Sequence, residues 1–158
     1  MTPSERLQEL SEGMNPRLVL RMRSGFAVMG DNQFLPGYCL LMAYPQVDQL
    51  IELPEKQRHA FLEDMSLLGE AIDRVTESKR INFAMYGNVD PFLHAHIWPR
   101  YEWEVPEFAT LPPLSIPEEI RVHEDTVWDP AVHGNLQNQI RDMILKLQDE
   151  RAHVEVLH

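Results

Sequence analysis

"GNVDPFLHAHIWPRY", residues 87–101, is the stretch on which the reading of this chain turns. Turn residues open it, from Gly87 to Pro91, and an apolar run follows in which histidine takes every second place. Side chains alternate across a strand, so Leu93, Ala95 and Ile97 share one face while Phe92, His94, His96 and Trp98 share the other. The first face is core. The second carries two imidazoles roughly 6 to 7 Å apart at the backbone, from the rise of a strand.

Outward from that strand the pattern is one of hairpins around a helix. "RINFAMY", residues 80–86, precedes it as a partner strand, joined by "GNVDP". Before that, Phe61, Met65, Leu68, Ile72 and Val75 recur at steps of four and three, which predicts an amphipathic helix from Pro54 to about Glu77 with Pro54 in its first turn. "RLVLRM" and "GFAVMG", separated by Ser24 and Gly25, read as a β-hairpin; "DNQFLPG" is loop, and "YCLLMAY" is a third strand. A short helix from Pro3 to Ser11, with Thr2 as cap and Gly13 as stop, leads the chain. Four prolines between Tyr101 and Pro117 predict an irregular, wrap-around segment, and Leu136, Ile140, Met143, Ile144 and Leu147 mark a final helix. The fold class expected is α+β: an antiparallel sheet of about five strands, covered on one face by the long helix, with a C-terminal helix that either packs on the same chain's sheet or supports a dimer. Residues 1–158 read as one domain.

The 25 acidic and 14 basic residues give a formal charge of −11, which argues against a nucleic-acid polymer as partner, because such binding rests on neutralising many phosphates. A small phosphorylated ligand stays compatible, since imidazoles, amides and backbone N–H groups can hold one phosphate locally. The single cysteine, Cys39, and an N-terminus without a basic or apolar signal region suggest a cytoplasmic protein. No apolar run approaches the roughly 18 to 20 residues of a bilayer-spanning helix, so no membrane partner is expected.

Three readings of His94 and His96 compete. They are surface or satisfied core residues; or they supply two metal ligands, with His123, His133 or an acidic group completing the set; or they act on phosphorus, one imidazole as nucleophile and its neighbour as hydrogen-bond donor to the phosphate oxygens. The preceding turn suits the third, because Gly87 lets backbone approach a phosphate and the Asn88 amide can donate to an oxygen. Ordinary turn chemistry explains Asn88 as well.

The stretch also resembles the signature of the histidine triad superfamily of nucleotide hydrolases and transferases, His-φ-His-φ-His-φ-φ, often followed by Pro-Arg. Aligned on Pro99 and Arg100, Phe92 takes the place of the first histidine, His94 of the second and His96 of the third. "DNQFLPGYCLL", residues 31–41, is similar to the family's ribose-side loop and following strand, in which Pro-Gly-His is common. The resemblance covers about residues 17–101; residues 102–158 are a proline-rich extension plus the C-terminal helix.

The resemblance implies a nucleotide hydrolase or nucleotidyl transferase acting on dinucleoside polyphosphates or nucleoside phosphoramidates, and a homodimer. It places His94 at the nucleophile and His96 at the histidine beside the transferred phosphate. It places Asn88, Gly87 and Asn82 around the nucleotide, Asp31 or Asn32 at the ribose hydroxyls, and Phe26, otherwise a core residue, near the base. No protein-bound cofactor or metal is implied, although Mg²⁺ can arrive with a polyphosphate. Two departures stand out: Phe92 has no hydrogen-bonding group, and Tyr38 stands where Pro-Gly-His puts another histidine. They leave a second outcome open, a nucleotide-binding module with little or no turnover; a metal site on the His-x-His pair is a third. Arg100 reads as a solvated or ion-paired side chain, and Trp98 as a pocket wall or core residue.

Overall fold

The computed structural model describes residues 3–157. The expected hairpin is present as β1 (Leu18–Arg21) and β2 (Gly25–Met29), followed by β3 (Cys39–Ala43), β4 (Arg80–Ala84) and β5 (His94–Arg100). These make a five-stranded antiparallel sheet in the order β1-β2-β3-β5-β4. The histidine strand therefore lies inside the sheet, with Met42 opposite His94 and Leu40 opposite His96 on one side, and Ala84 opposite His96 on the other. It begins at His94, two residues later than its alternation suggests, because Phe92 still belongs to the turn.

The long helix α2 (Glu55–Thr76) matches its apolar stripe: Phe61, Leu68 and Ile72 are fully buried, and Pro54 caps the helix rather than entering its first turn. It packs with the last helix, α5 (Pro130–Leu157), over the face formed by Ala27, Leu41, Ala95 and Ile97, where Ile140, Ile144 and Leu147 complete the core. α5 packs on its own chain, against α2 and β1.

The opposite face is not left open, as the sequence led us to expect. Helix α1 (Pro3–Ser11) lays Leu7 and Leu10 on it, beside Phe26, Val28, Met42 and Phe92, in a second apolar cluster. Thr2, the expected cap of this helix, lies outside the described residues. The proline-rich segment also differs from expectation: it contains α3 (Pro106–Ala109), a single turn at Pro113–Ser115 and α4 (Glu118–Arg121). Pro106 and Pro113 each stand in the first turn of their element, where a missing N–H costs nothing.

Among the described residues no helix is long and apolar enough to cross a membrane.

Candidate active site

His94 and His96 open from β5 into a cavity of about 250 Å³ on the α1 side of the sheet. Their rings stand 4.9 Å apart, centroid to centroid, at 71°. Each ring is held from two directions, and the two holds differ.

Nδ1 of His94 lies 2.8 Å from the carbonyl oxygen of Phe92. A carbonyl only accepts, so Nδ1 carries the ring hydrogen and the neutral imidazole keeps its lone pair on Nε2. The Phe92 ring packs on the same imidazole, 4.6 Å away at 28°. The residue lacking a polar side chain thus orients His94 through its backbone.

His96 is held through its side chain. Its Nδ1 is 2.7 Å from the Tyr38 hydroxyl, and Trp98 lies parallel to the imidazole at 5.0 Å and 3°. Tyr38 stacks in turn on Trp98, at 5.1 Å. Burial, and to a lesser degree repulsion from His94, push the His96 pKa down to about 4, against a smaller upward pull from Asp90. The ring is neutral near pH 7, and when Tyr38 donates, Nε2 of His96 carries the hydrogen. Burial holds the Tyr38 phenol well above its ordinary range, so it stays protonated.

Tyr38 reaches this position over a glycine. A Cβ on Gly30 would come within 2.2 Å of the Tyr38 ring, so a bare backbone lets the phenol lie flat against the strand. Gln33, 2% exposed, staples the same loop: its amide donates to the Gly30 and Tyr38 carbonyls, at 2.9 Å each, and its oxygen accepts from Gly37 N–H. Neither residue stands out in the sequence, because a loop glutamine and a strand-end glycine carry no periodic signal.

The other expected site residues divide. Asp31, Asn32 and Tyr38 line the cavity with the two histidines. The Asp31 carboxylate pairs with Arg17, whereas Asn32 Oδ1 is buried without a hydrogen-bond partner among the described residues. Gly87, at φ +71°, shapes a neighbouring depression whose wall also includes His94 and Phe92. Asn88 is exposed in the turn and lines neither space. Asn82 faces a third depression beyond Trp98, and its Oδ1 accepts from Arg100. Phe26 is 1% exposed in the apolar cluster and does not line the cavity.

Of the two expectations for Arg100, the ion pair holds and the solvated side chain does not. It is buried against Glu104 and donates to the carbonyls of Phe108 and Leu111, which ties the proline-rich segment to the end of β5. That segment supplies Leu114, Arg121 and Val122 to the cavity wall. Among the described residues no group of three or more metal-ligating side chains gathers anywhere. His123 and His133 each accept a nearby backbone N–H, from Asp125 and Asp129.

No family model and no curated protein matches this sequence. Solved structures do match its fold. A histidine triad protein from Marinobacter aquaeolei VT8 is 20% identical, with 90% of this chain and 95% of that one covered at a TM-score of 0.64. A hypothetical histidine triad nucleotide-binding protein from Sulfolobus tokodaii strain7 is 15% identical, covering 90% of this chain and 92% of its own at 0.67. Diadenosine triphosphate hydrolase from Plasmodium falciparum is 12% identical, with 82% and 77% covered at 0.58. The five-stranded sheet with the histidine strand inside it and the helix pair on its far face thus compose the fold of the histidine triad proteins.

Proposed function

We propose that this chain is a divergent histidine triad protein that hydrolyses or transfers a nucleoside monophosphoryl group. The observation that carries the reading is the Nδ1–H of His94 on the Phe92 carbonyl, which leaves Nε2 as the nucleophilic nitrogen. In the first step that lone pair attacks the α-phosphorus, an N–P bond forms, and the bond from phosphorus to the leaving group breaks with its electron pair. Neutral His96 hydrogen-bonds to the phosphate oxygens, or passes its Nε2 proton to the departing atom where an amine leaves; with a pKa near 4 it is not a cation at pH 7. In the second step water attacks phosphorus and gives up a proton, to His96 where that ring lost one in the first step and otherwise to solvent; the N–P bond breaks with its electron pair returning to His94 Nε2, and a nucleoside monophosphate is released.

Asn32 is the better placed of the two ribose candidates, since its buried oxygen has no partner and would accept from a hydroxyl, whereas Asp31 is engaged by Arg17. Asn88 and Gly87 would meet the ligand from the turn, and Asn82 would meet it beyond Trp98. Dinucleoside polyphosphates and nucleoside phosphoramidates are the substrate classes; Mg²⁺ would arrive with a polyphosphate. The protein would work as a single domain in the cytoplasm. The edge strand β4, with Phe83 45% accessible and Tyr86 just beyond its end at 58%, suits the homodimer that the resemblance implies.

A second reading is a nucleotide-binding module with little turnover, favoured by one observation: Phe92 leaves His94 without a side-chain partner at Nδ1. One experiment separates the two. The protein is mixed with radiolabelled substrates of both classes, quenched, and searched for an acid-labile, base-stable nucleotidyl adduct, beside His94→Ala. An adduct present in the wild type and lost in the variant is expected; saturable nucleotide binding with no adduct and no turnover would favour the binding module and end the hydrolase reading.

A further inference from the structure

Three guanidinium groups converge on the His94 cavity in a chain whose formal charge is −11. They come from distant parts of the sequence: Arg6 on α1, Arg17 just before β1, and Arg121 at the end of α4. Two carboxylates, Asp31 and Asp90, line the same space. Asp31 is taken up by Arg17, so Arg6 and Arg121 face a single further acid across the cavity.

The arginines are placed at a cost to the unliganded protein. Arg6 Nε is buried and has no hydrogen-bond partner among the described residues. Arg17 sits close enough to Arg6 that their repulsion, after burial, holds its pKa below the ordinary arginine value, with Glu9 a smaller opposing influence. Arg121 donates Nε to the Ile116 carbonyl at 2.7 Å. It lines the same cavity as Tyr38 and His96.

Two like charges held together, one with a buried donor unspent, are what an oxyanion would relieve. The elements that hold them have other reasons to stay: Leu7 and Leu10 anchor α1 on the sheet, and the Asn15 side chain accepts Arg17 N–H at 2.9 Å. The guanidiniums are thus carried on packed structure.

We propose that Arg6, Arg17 and Arg121 form an anion-binding subsite on the wall of the His94 cavity, taking a phosphate group of the ligand other than the one His94 attacks. The inference rests on the function proposed above for the histidines but makes a separate demand: the ligand carries at least two phosphates. A linear polyphosphate chain between two organic ends meets that demand. A phosphoramidate whose leaving group is a neutral amine brings no second phosphate to the three arginines.

The test uses inorganic tripolyphosphate as probe and calorimetric titration as readout, so it needs no turnover. Saturable binding to the wild-type protein is expected. Arg6→Gln and Arg121→Gln should each weaken it about tenfold or more, the loss of one charge-assisted contact. Arg6→Lys and Arg121→Lys, which keep charge and stem, should recover part of that affinity and serve as folded controls, with melting temperatures checked for all four. Absence of binding, or binding that none of the substitutions alters, would overturn the subsite. A missing nucleotidyl adduct in the trapping experiment would instead overturn the hydrolase reading and leave this result standing.

Discussion

The Tyr38 hydroxyl and Nδ1 of His96 lie 2.7 Å apart although 58 residues separate them in the chain. Both partners are neutral near pH 7, and both are shielded from water by Trp98 and the loop that Gln33 holds. Tyr38→Phe keeps the stack and removes only the hydroxyl, leaving His96 Nδ1 without a partner. We expect a loss of about 1 to 2 kcal/mol in urea denaturation, the usual cost of an unsatisfied buried polar atom. Imidazole ¹⁵N shifts should also report a changed tautomer balance at His96. A stability change under about 0.5 kcal/mol with unaltered shifts would mean that the hydroxyl does not hold the ring.

Placing a histidine at position 92 should gain little. Phe92 is 3% exposed in the cluster with Leu7, Leu10, Phe26, Val28 and Met42, and its backbone oxygen already orients His94. Phe92→His keeps that carbonyl and buries an imidazole among apolar side chains, at a cost of about 2 to 4 kcal/mol. Adduct formation with a radiolabelled nucleotide should rise by less than about threefold. A tenfold rise without loss of stability would show that the side chain, rather than the backbone, limits this site.

The pH dependence follows from His96. Its folded pKa, near 4, lies below the ordinary value of 6.5, so between those two values the unfolded chain binds more protons than the folded one. Stability contributed by the buried neutral ring is therefore full above about pH 6.5 and falls as the pH drops toward 4. Denaturation midpoints measured across pH 7 to 4 should decline, and the His96 ring protons should titrate near pH 4. A titration near 6.5 would show that the ring is solvated.

Part of this site is legible in the sequence and part is not, for physical reasons. Strand alternation has a period of two, so the shared face of Phe92, His94, His96 and Trp98 can be read directly. The stripe of α2 is legible by the same logic at 3.6 residues. The role of Phe92 is not, because its backbone carbonyl does the orienting and every residue has one. Arg6, Arg17 and Arg121 lie far apart in the sequence with no shared spacing, and they meet only once the chain is folded. Prolines at 106 and 113 read as breakers but begin short helical turns, since proline disrupts a helix interior and suits its first turn.

The arginine that ends the histidine strand shows how a residue outside the cavity can serve the site indirectly. Arg100 and Glu104 are 7% and 6% exposed and 2.8 Å apart, and the remaining donors of Arg100 reach Asn82 and the carbonyls that end α3. Arg100→Ala strands a carboxylate in a buried place, which typically costs about 3 to 5 kcal/mol. The double variant Arg100→Met with Glu104→Met removes both charges and should recover at least half of that loss. Hydrogen exchange should quicken through residues 104–111 in the single variant. Tripolyphosphate affinity should fall with it, because Leu114 and Arg121 reach the cavity from the segment that Arg100 anchors. Unchanged exchange in 104–111, with the double variant as unstable as the single, would mean that the proline-rich segment is held in place by its other contacts and that Arg100 only neutralises Glu104.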